Sequence, residues 1–488
     1  MNNGDQALYA AFRSKDPRFD GRFFVGVTST GIYCRPICRA RLPKTENCRF
    51  YATAAEAEHE GFRPCLLCRP ELAPGSSVMD ATASLARRAA RFLEENSGSG
   101  RGLEELASRL GYTDRHLRRA FGAEYHVSPV QYMQTCRLLL AKNLLTDTDL
   151  AVLDVAMAAG FGSLRRFNDL FTKRYRLSPT GLRRESRGAG RRNGDLTLKL
   201  CYRPPYEWQR MLDFLSQRAV HGVEAIRDGE YWRTVRLVDE TRREASGWIR
   251  VGRHQTGNFL EVSMSDSLLP VLPQVLARVR QLFDLDCDPD GISDALAPMN
   301  DIRSGLCVPG TRLPGCFDPF EMAIRAVLGQ QITIKAAGTL AARLAGAFGP
   351  EVRTGIEGLD RAFPSPEAIA ALGRRRRIED SLGPLGIIAT RARAILELAR
   401  MYAGCDIRLD FTARPEAEME KLMTIPGIGS WTAKYIVMRA MGWPDAFLET
   451  DHGVKKALAP RTPREISALA ETWRPWRSYA MINLWNSP

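Results

Sequence analysis

Apolar residues recur with helical spacing in the middle of the chain. In "LEELASRLGYTDRHLRRAFGAEY" (103–125), Leu103, Leu106, Ala107 and Leu110 fall on one helix face. Gly111 stops that helix, Thr113 is placed to cap the next, and Leu117 and Phe121 give the second helix its buried side. This is helix–turn–helix spacing. It leaves Arg115, His116, Arg118 and Arg119 at or near an exposed helix start, where a recognition helix meets base edges and phosphates. The pattern returns in "LDVAMAAGFGSLRRFNDLFTKRY" (153–175), with Ser163 as the cap and Arg165 and Arg166 in the matching place. A long apolar helix around "YMQTCRLLLAKNLL" joins the two.

The periodicity fails at "ELAPGSSVMD" (71–80) and "RRESRGAGRRNG" (183–194), whose Gly, Ser and Arg content predicts linkers. They separate a cysteine-containing module (1–75), a helical middle (78–186) and, after a linker at 187–194, a large C-terminal part. The arginine run 374–377 reads as a solvated helix face.

Charge and cysteines sharpen this outline. A formal charge of +13, spread along the chain, favours an anionic polymer as partner, nucleic acid before membrane. No stretch approaches the ~18 apolar residues of a membrane span. The start, MNNGDQALYAAF, lacks a basic segment leading into an apolar core. A cytoplasmic location is therefore expected, and there thiols stay reduced. Seven of the eleven cysteines (48, 136, 201, 287, 307, 316 and 405) show no paired spacing and are expected to be structural.

The other four are paired. Cys34 and Cys38, then Cys65 and Cys68, have the spacing of a four-thiolate site, and Zn²⁺ suits four sulfurs. His59 lies between the pairs and reads as a surface residue, since four thiolates fill the shell. Spacing alone leaves two readings open, a structural zinc and a reactive one. Four thiolates on Zn²⁺ carry a net −2, and nearby arginines such as Arg35, Arg39 and Arg41 keep thiolates nucleophilic. A sulfur that took a methyl group would become a thioether. The site would then repel DNA phosphates less and DNA affinity would rise.

"FDGRFFVGVTSTGIYCRPICRAR" and "FYATAAEAEHEGFRPCLLCRP" resemble the N-terminal domain of the Ada adaptive-response family over nearly all of residues 5–70. The resemblance implies that Cys34 accepts a methyl group from a DNA methylphosphotriester and, with Cys38, Cys65 and Cys68, holds one zinc. It also places DNA contacts at Thr30, Arg39, Arg41 and Arg63. The Pro-Cys-His-Arg motif of the O6-methylguanine transferase is absent, so no repair of that lesion is expected. The tandem helix–turn–helix pattern resembles the AraC/XylS-type DNA-binding domain. Double-stranded promoter DNA is the partner this implies, with RNA polymerase a second candidate and activation the favoured direction.

The C-terminal stretch "LMTIPGIGSWTAKYIVMRAMGWPDAFLETDHGVKKAL" (422–458) sets Pro-Gly-Ile-Gly between two helical runs. Gly427 and Gly429 let a phosphate approach backbone N–H groups at a helix start. Such hairpins can also hold a monovalent cation on their carbonyls. Asp451 opens the next helix, where a helix cap and a catalytic carboxylate are equally good readings.

Residues 196–485, including "YRPPYEWQRMLDFL", "LPGCFDPFEMAIRAVLGQQ" and "WRPWRSYAMINLW", resemble the AlkA type of 3-methyladenine DNA glycosylase. This implies a small antiparallel-sheet part (195–305) before a helix–hairpin–helix glycosylase domain (306–488), hence a multidomain, mainly α protein with α+β parts. It further implies Asp451 as catalytic carboxylate and Trp431, Tyr435 and Trp485 as base pocket. An alkylated base is cationic and a good leaving group, so aromatic walls and one carboxylate meet its needs. Trp431 fills the slot of the Schiff-base lysine of lyase relatives, so a monofunctional enzyme is expected. The DNA-wedging leucine aligns with Gln331, leaving a polar wedge or the neighbouring Ile332, and His452 replaces a tyrosine. The expected protein is an alkylation-response regulator that also excises alkylated purines from DNA. The rival is a pure regulator whose enzyme domain has decayed.

Overall fold

The computed structural model describes residues 3–75, 85–97, 103–186, 196–239, 242–375 and 377–487. The expected linker 187–194 lies outside the described residues, as do 76–80 of the first boundary and Arg376 of the arginine run. What is described is mainly helical, with two small sheets.

The cysteine module is built on strands β1 (Phe24–Val27), β2 (Ile32–Cys34), β3 (Cys48–Tyr51) and β4 (Arg63–Pro64), in the order β3-β1-β2-β4. Gly31, at φ +65°, closes the turn from β1 into β2 in a conformation that favours glycine. β2 and β4 run parallel with Tyr33 opposite Pro64, and the Cys65 N–H donates to the Tyr33 carbonyl at 3.0 Å. That register sets Cys34 and Cys65, the next residues along, side by side.

Seven helices follow, from Leu85–Glu95 to Pro179–Ser186. The helices Asp114–Tyr125 and Leu164–Tyr175 begin and end alike. The Thr113 and Ser163 hydroxyls accept from the backbone N–H of His116 (3.2 Å) and Arg166 (3.4 Å). Both helices stop at a left-handed residue, His126 and Arg176. Between them, Pro129–Asp147 starts on a reciprocal Ser128–Gln131 cap.

The second sheet is antiparallel throughout: β5 (Leu196–Cys201), β9 (Phe259–Met264), β8 (Glu244–Arg253), β7 (Glu230–Val238) and β6 (Glu224–Arg227), in that spatial order. An Asp228-Gly229 turn, with both φ positive, joins β6 to β7. The helix Trp208–Ser216 buries Met211, Leu212, Phe214 and Leu215.

The cores do not follow the linkers. One continuous apolar core contains the sheet (Val235, Ile249, Val262), the last helices (Val454, Trp473, Leu484) and the second helix–turn–helix (Val155, Phe167, Phe171). Another fills the helices around the hairpin, with Val327, Leu344, Ile395 and Ile436. The first helix–turn–helix keeps a small core of its own around Phe92, Leu106, Leu117 and Phe121.

Polar groups fasten the cysteine module to both neighbours. The buried Glu58 carboxylate accepts from Tyr33 (3.1 Å), from Thr135 on the long helix (3.0 Å) and from Tyr175 at the end of the second recognition helix (3.3 Å). Arg69, directly after Cys68, pairs with Asp147 at 2.6 Å, and Lys142 pairs with Glu71 at 2.6 Å in full burial. On the other side, Arg22 pairs with Asp288 at 2.5 Å and Arg203 donates to the Asp20 carbonyl at 3.1 Å. Satisfied buried pairs of this kind fix register more than they add stability.

Candidate functional site

The four cysteine sulfurs of Cys34, Cys38, Cys65 and Cys68 lie within 4.8 Å of one another. Tetrahedral Zn–S bonds of about 2.3 Å would space sulfurs roughly 3.8 Å apart, so the set fits one zinc ion. Cys34, Cys38 and Cys65 are buried and Cys68 is half-buried. The backbone N–H of Arg35 donates to the Cys68 sulfur at 3.3 Å.

The arginines of this loop divide into two kinds. Arg35 is interior: it pairs with buried Asp20 and donates to the Cys68 carbonyl at 3.0 Å. It ties one ligand pair to the other and does not face solvent. Thr30, Arg39 and Arg41 are exposed and Arg63 is half-buried. His59 is exposed, with its ring 3.2 Å from Gln131.

On the first recognition helix, Arg115, His116, Arg118 and Arg119 are all exposed. His116 stacks on Tyr112 at 5.2 Å, and Arg118 pairs with Asp114 at 2.6 Å. Arg165 and Arg166 are exposed at the start of the second and share a surface cleft with Lys173 and Gln134.

The C-terminal site draws on four distant segments. Trp431 and Tyr435, one turn apart on the helix Ser430–Ala440, stack at 5.3 Å. Trp485, from the last helix, stands 6.2 Å from Tyr435. Asp451 joins them: its Oδ1 accepts from Trp485 Nε1 at 2.8 Å and from the Val454 N–H at 3.1 Å. The carboxylate is thus a helix cap as well as the neighbour of the pocket, and its Oδ2 has no hydrogen-bond partner among the described residues. Gly453 keeps the arrangement tight, because a Cβ there would come 2.9 Å from the Trp485 ring.

Phe214, which sequence reasoning missed, completes the aromatic group. It lies nearly parallel to Trp485 (19°) at 6.4 Å, close to the ~7 Å of two stacking distances. Arg439 donates to the Tyr435 hydroxyl at 2.9 Å. Burial pushes the Tyr435 phenol up, but the guanidinium groups of Arg439 and Arg218 outweigh it and hold the group below its ordinary value.

Around the hairpin, Gly427 (φ +95°) and Gly429 are exposed, and Gly429 caps the helix that carries Trp431. The Gly427 carbonyl accepts from Gln330 Nε2 at 2.8 Å, so that oxygen already has a partner. Gln330 also reaches Thr432 at 3.0 Å, and Arg391 donates to the Gln330 carbonyl. These bonds brace Gln331, an exposed residue in the left-handed conformation (φ +52°), while Ile332 is half-buried. Lys434 pairs with Glu449 at 2.9 Å, and His452 is exposed.

Four protein-family models match the chain: the metal binding domain of Ada (residues 7–71), a helix-turn-helix domain (106–185), the AlkA N-terminal domain (197–318) and the HhH-GPD superfamily base excision DNA repair protein (324–464). The chain is 37% identical to a "Probable bifunctional transcriptional activator/DNA repair enzyme AlkA" of Mycobacterium tuberculosis, over 100% of this chain and 97% of that protein. It is also 37% identical to DNA-3-methyladenine glycosylase 2 of Escherichia coli, over 59% of this chain and 95% of that one. The bifunctional transcriptional activator/DNA repair enzyme Ada of Escherichia coli is 38% identical over 27% of this chain and 36% of its own length. Among the described residues, no helix is long and apolar enough to cross a membrane.

Proposed function

Because the chain belongs to the family of AlkA-type bifunctional transcriptional activators and DNA repair enzymes, we propose that it answers DNA alkylation with two chemistries. It hydrolyses the N-glycosidic bond of alkylated purines such as 3-methyladenine, and it takes a methyl group from DNA methylphosphotriesters onto Cys34. The observation that carries the glycosylase reading is the Asp451 carboxylate, pinned through Oδ1 beside an aromatic slot with Oδ2 left over.

A base turned out of the duplex enters among Trp431, Tyr435, Trp485 and Phe214; flipping costs a few kcal/mol and is easiest for a weakly paired base. The C1′–N bond breaks with its electron pair going to the base, which neutralises an alkylated ring. Oδ2 of Asp451 stabilises the positive charge left on the sugar, and water adds at C1′ after giving up a proton. Lys434, held by Glu449, supplies no Schiff base, so the product is an abasic site. Gln331 and the hairpin glycines Gly427 and Gly429 meet the duplex, and any monovalent cation would sit on the hairpin carbonyls.

In the cysteine module Cys34, Cys38, Cys65 and Cys68 would hold a zinc ion, which would keep the sulfurs deprotonated at neutral pH. Cys34 Sγ attacks the methyl carbon, the C–O bond breaks, and the phosphodiester leaves with its charge. The thiolate becomes a thioether, one negative charge is lost, and Thr30, Arg39, Arg41 and Arg63 hold DNA more tightly. The recognition helices then grip promoter DNA through Arg115, His116, Arg118, Arg119, Arg165 and Arg166. The protein acts in the cytoplasm as an activator, with RNA polymerase its expected partner.

The test is release of 3-methyladenine from alkylated DNA by the wild type and by Asp451→Asn. Release that disappears in the variant supports the reading; no release from folded, DNA-binding wild type overturns it. Label from methylphosphotriester DNA must likewise appear on Cys34 and nowhere else.

A further inference from the structure

Positive charge, half-buried at Arg218 and buried at Arg439, lies against the aromatic walls of the proposed pocket. Arg218 lies 3.7 Å from the centre of the Phe214 ring. Arg439 lies 4.8 Å from the same ring and 5.8 Å from that of Tyr435. Their polar partners are neutral: the Phe214 carbonyl for Arg218 (3.1 Å), the Gly315 and Pro314 carbonyls and the Tyr435 hydroxyl for Arg439. Neither has a carboxylate partner among the described residues.

The arginines just beyond them are different. Arg325 pairs with Glu224 (2.9 Å) and Glu321 (2.8 Å), and Arg233 pairs with Glu321 (2.9 Å). Those two cations and two anions balance. Arg218 and Arg439 are therefore surplus charge, pressed against the rings a flipped base would touch.

This changes what the pocket prefers. A guanidinium on one face of an aromatic ring already uses the ring's negative potential, leaving less for a cation on the other face. Positive charge fixed in a dry site also stabilises negative charge as it develops. A permanently cationic base gains little from such a wall. An uncharged purine gains much, because the electron pair of the breaking C1′–N bond leaves it anionic until it takes a proton from water.

We propose that Arg218 and Arg439 are specificity-determining residues, setting the balance between uncharged and cationic purines in favour of the uncharged. This rests on the glycosylase reading above. The measurement is single-turnover release of hypoxanthine (uncharged) and 3-methyladenine (cationic) from defined duplexes by the full chain. Both rates come from one preparation, so a partly unfolded sample cancels in their ratio.

Arg218 is half-buried in the turn that follows the helix Trp208–Ser216, which makes it the safer position to change. In Arg218→Met the hypoxanthine-to-3-methyladenine ratio should fall about tenfold or more. Arg218→Gln, which can still bond the Phe214 carbonyl, should fall with it, and Arg218→Lys should stay within about threefold of wild type. Equal loss of both rates in Arg218→Met overturns the proposal, as does a lysine variant that behaves like methionine. Wild type that releases 3-methyladenine but no hypoxanthine overturns it too, and leaves the glycosylase reading standing. Wild type that releases neither base removes both.

Discussion

The two reaction centres of this chain are assembled in opposite ways. The cysteine cluster is local: two short-range pairs meet because β2 and β4 run parallel in one register. The proposed base pocket is non-local, with Phe214 from a sheet-domain helix, Trp431 and Tyr435 from the hairpin helix, Asp451 from a helix cap and Trp485 from the last helix. A local centre depends on its metal and on one strand pairing. A dispersed centre depends on a shared core, and small displacements far apart in sequence reach it.

Four changes probe that contrast. Stripping the metal with a chelator should abolish methyl transfer to Cys34, because the metal supplies much of a small module's folding energy. Base release should stay within about twofold, since no pocket residue comes from that module; a matching loss of both activities would break the contrast. Asp451→Asn should lower 3-methyladenine release about 100-fold or more. Asparagine caps helices as well as aspartate, so thermal unfolding should hardly move, and a drop in Tm would mean the carboxylate is chiefly structural.

Gly453→Ala should cost about tenfold in base release, by pushing Trp485 away from Asp451. An unchanged rate would show that the Trp485–Asp451 bond is slack. The smallest effect on either activity is expected from Glu58→Gln. Burial pushes the Glu58 carboxyl up to about 7, against opposing hydrogen bonds from Thr135 and Tyr33, the charge of Arg174 and a hydrogen bond from Tyr175. The folded protein therefore holds a proton that the unfolded chain releases. Stability should fall as pH rises from about 4.5 to about 7, by on the order of 3 kcal/mol, and the glutamine variant should flatten that slope in thermal melts.

The same contrast explains what the sequence made legible. Cysteine spacing carries the metal site almost unaided, since two chelating pairs need only a loop to close. The helix–turn–helix caps Thr113 and Ser163 are equally local and equally readable. Asp451 is not: its residue type suits a cap, and the structure shows it capping, so the proposed pocket role was visible only through the surrounding resemblance. Phe214 escaped because in WQRMLDFLS nothing distinguishes it from Met211 or Leu215, which are core. The interior place of Arg35 was not legible, since Asp20, fifteen residues earlier, gives no sign of waiting for it. Gly/Arg-rich composition at 183–194 suggested independent domains. Composition reports on the connector and says nothing of what packs on either side.

One core joins the second helix–turn–helix to the glycosylase sheet across that connector. Covalent continuity there is redundant to association. Residues 1–186 and 196–488 expressed together as two chains should yield two bands under denaturing conditions and one particle in native sedimentation. A regulator half and an enzyme half would thus behave as the subunits of a heterodimer that happens to be translated as one chain.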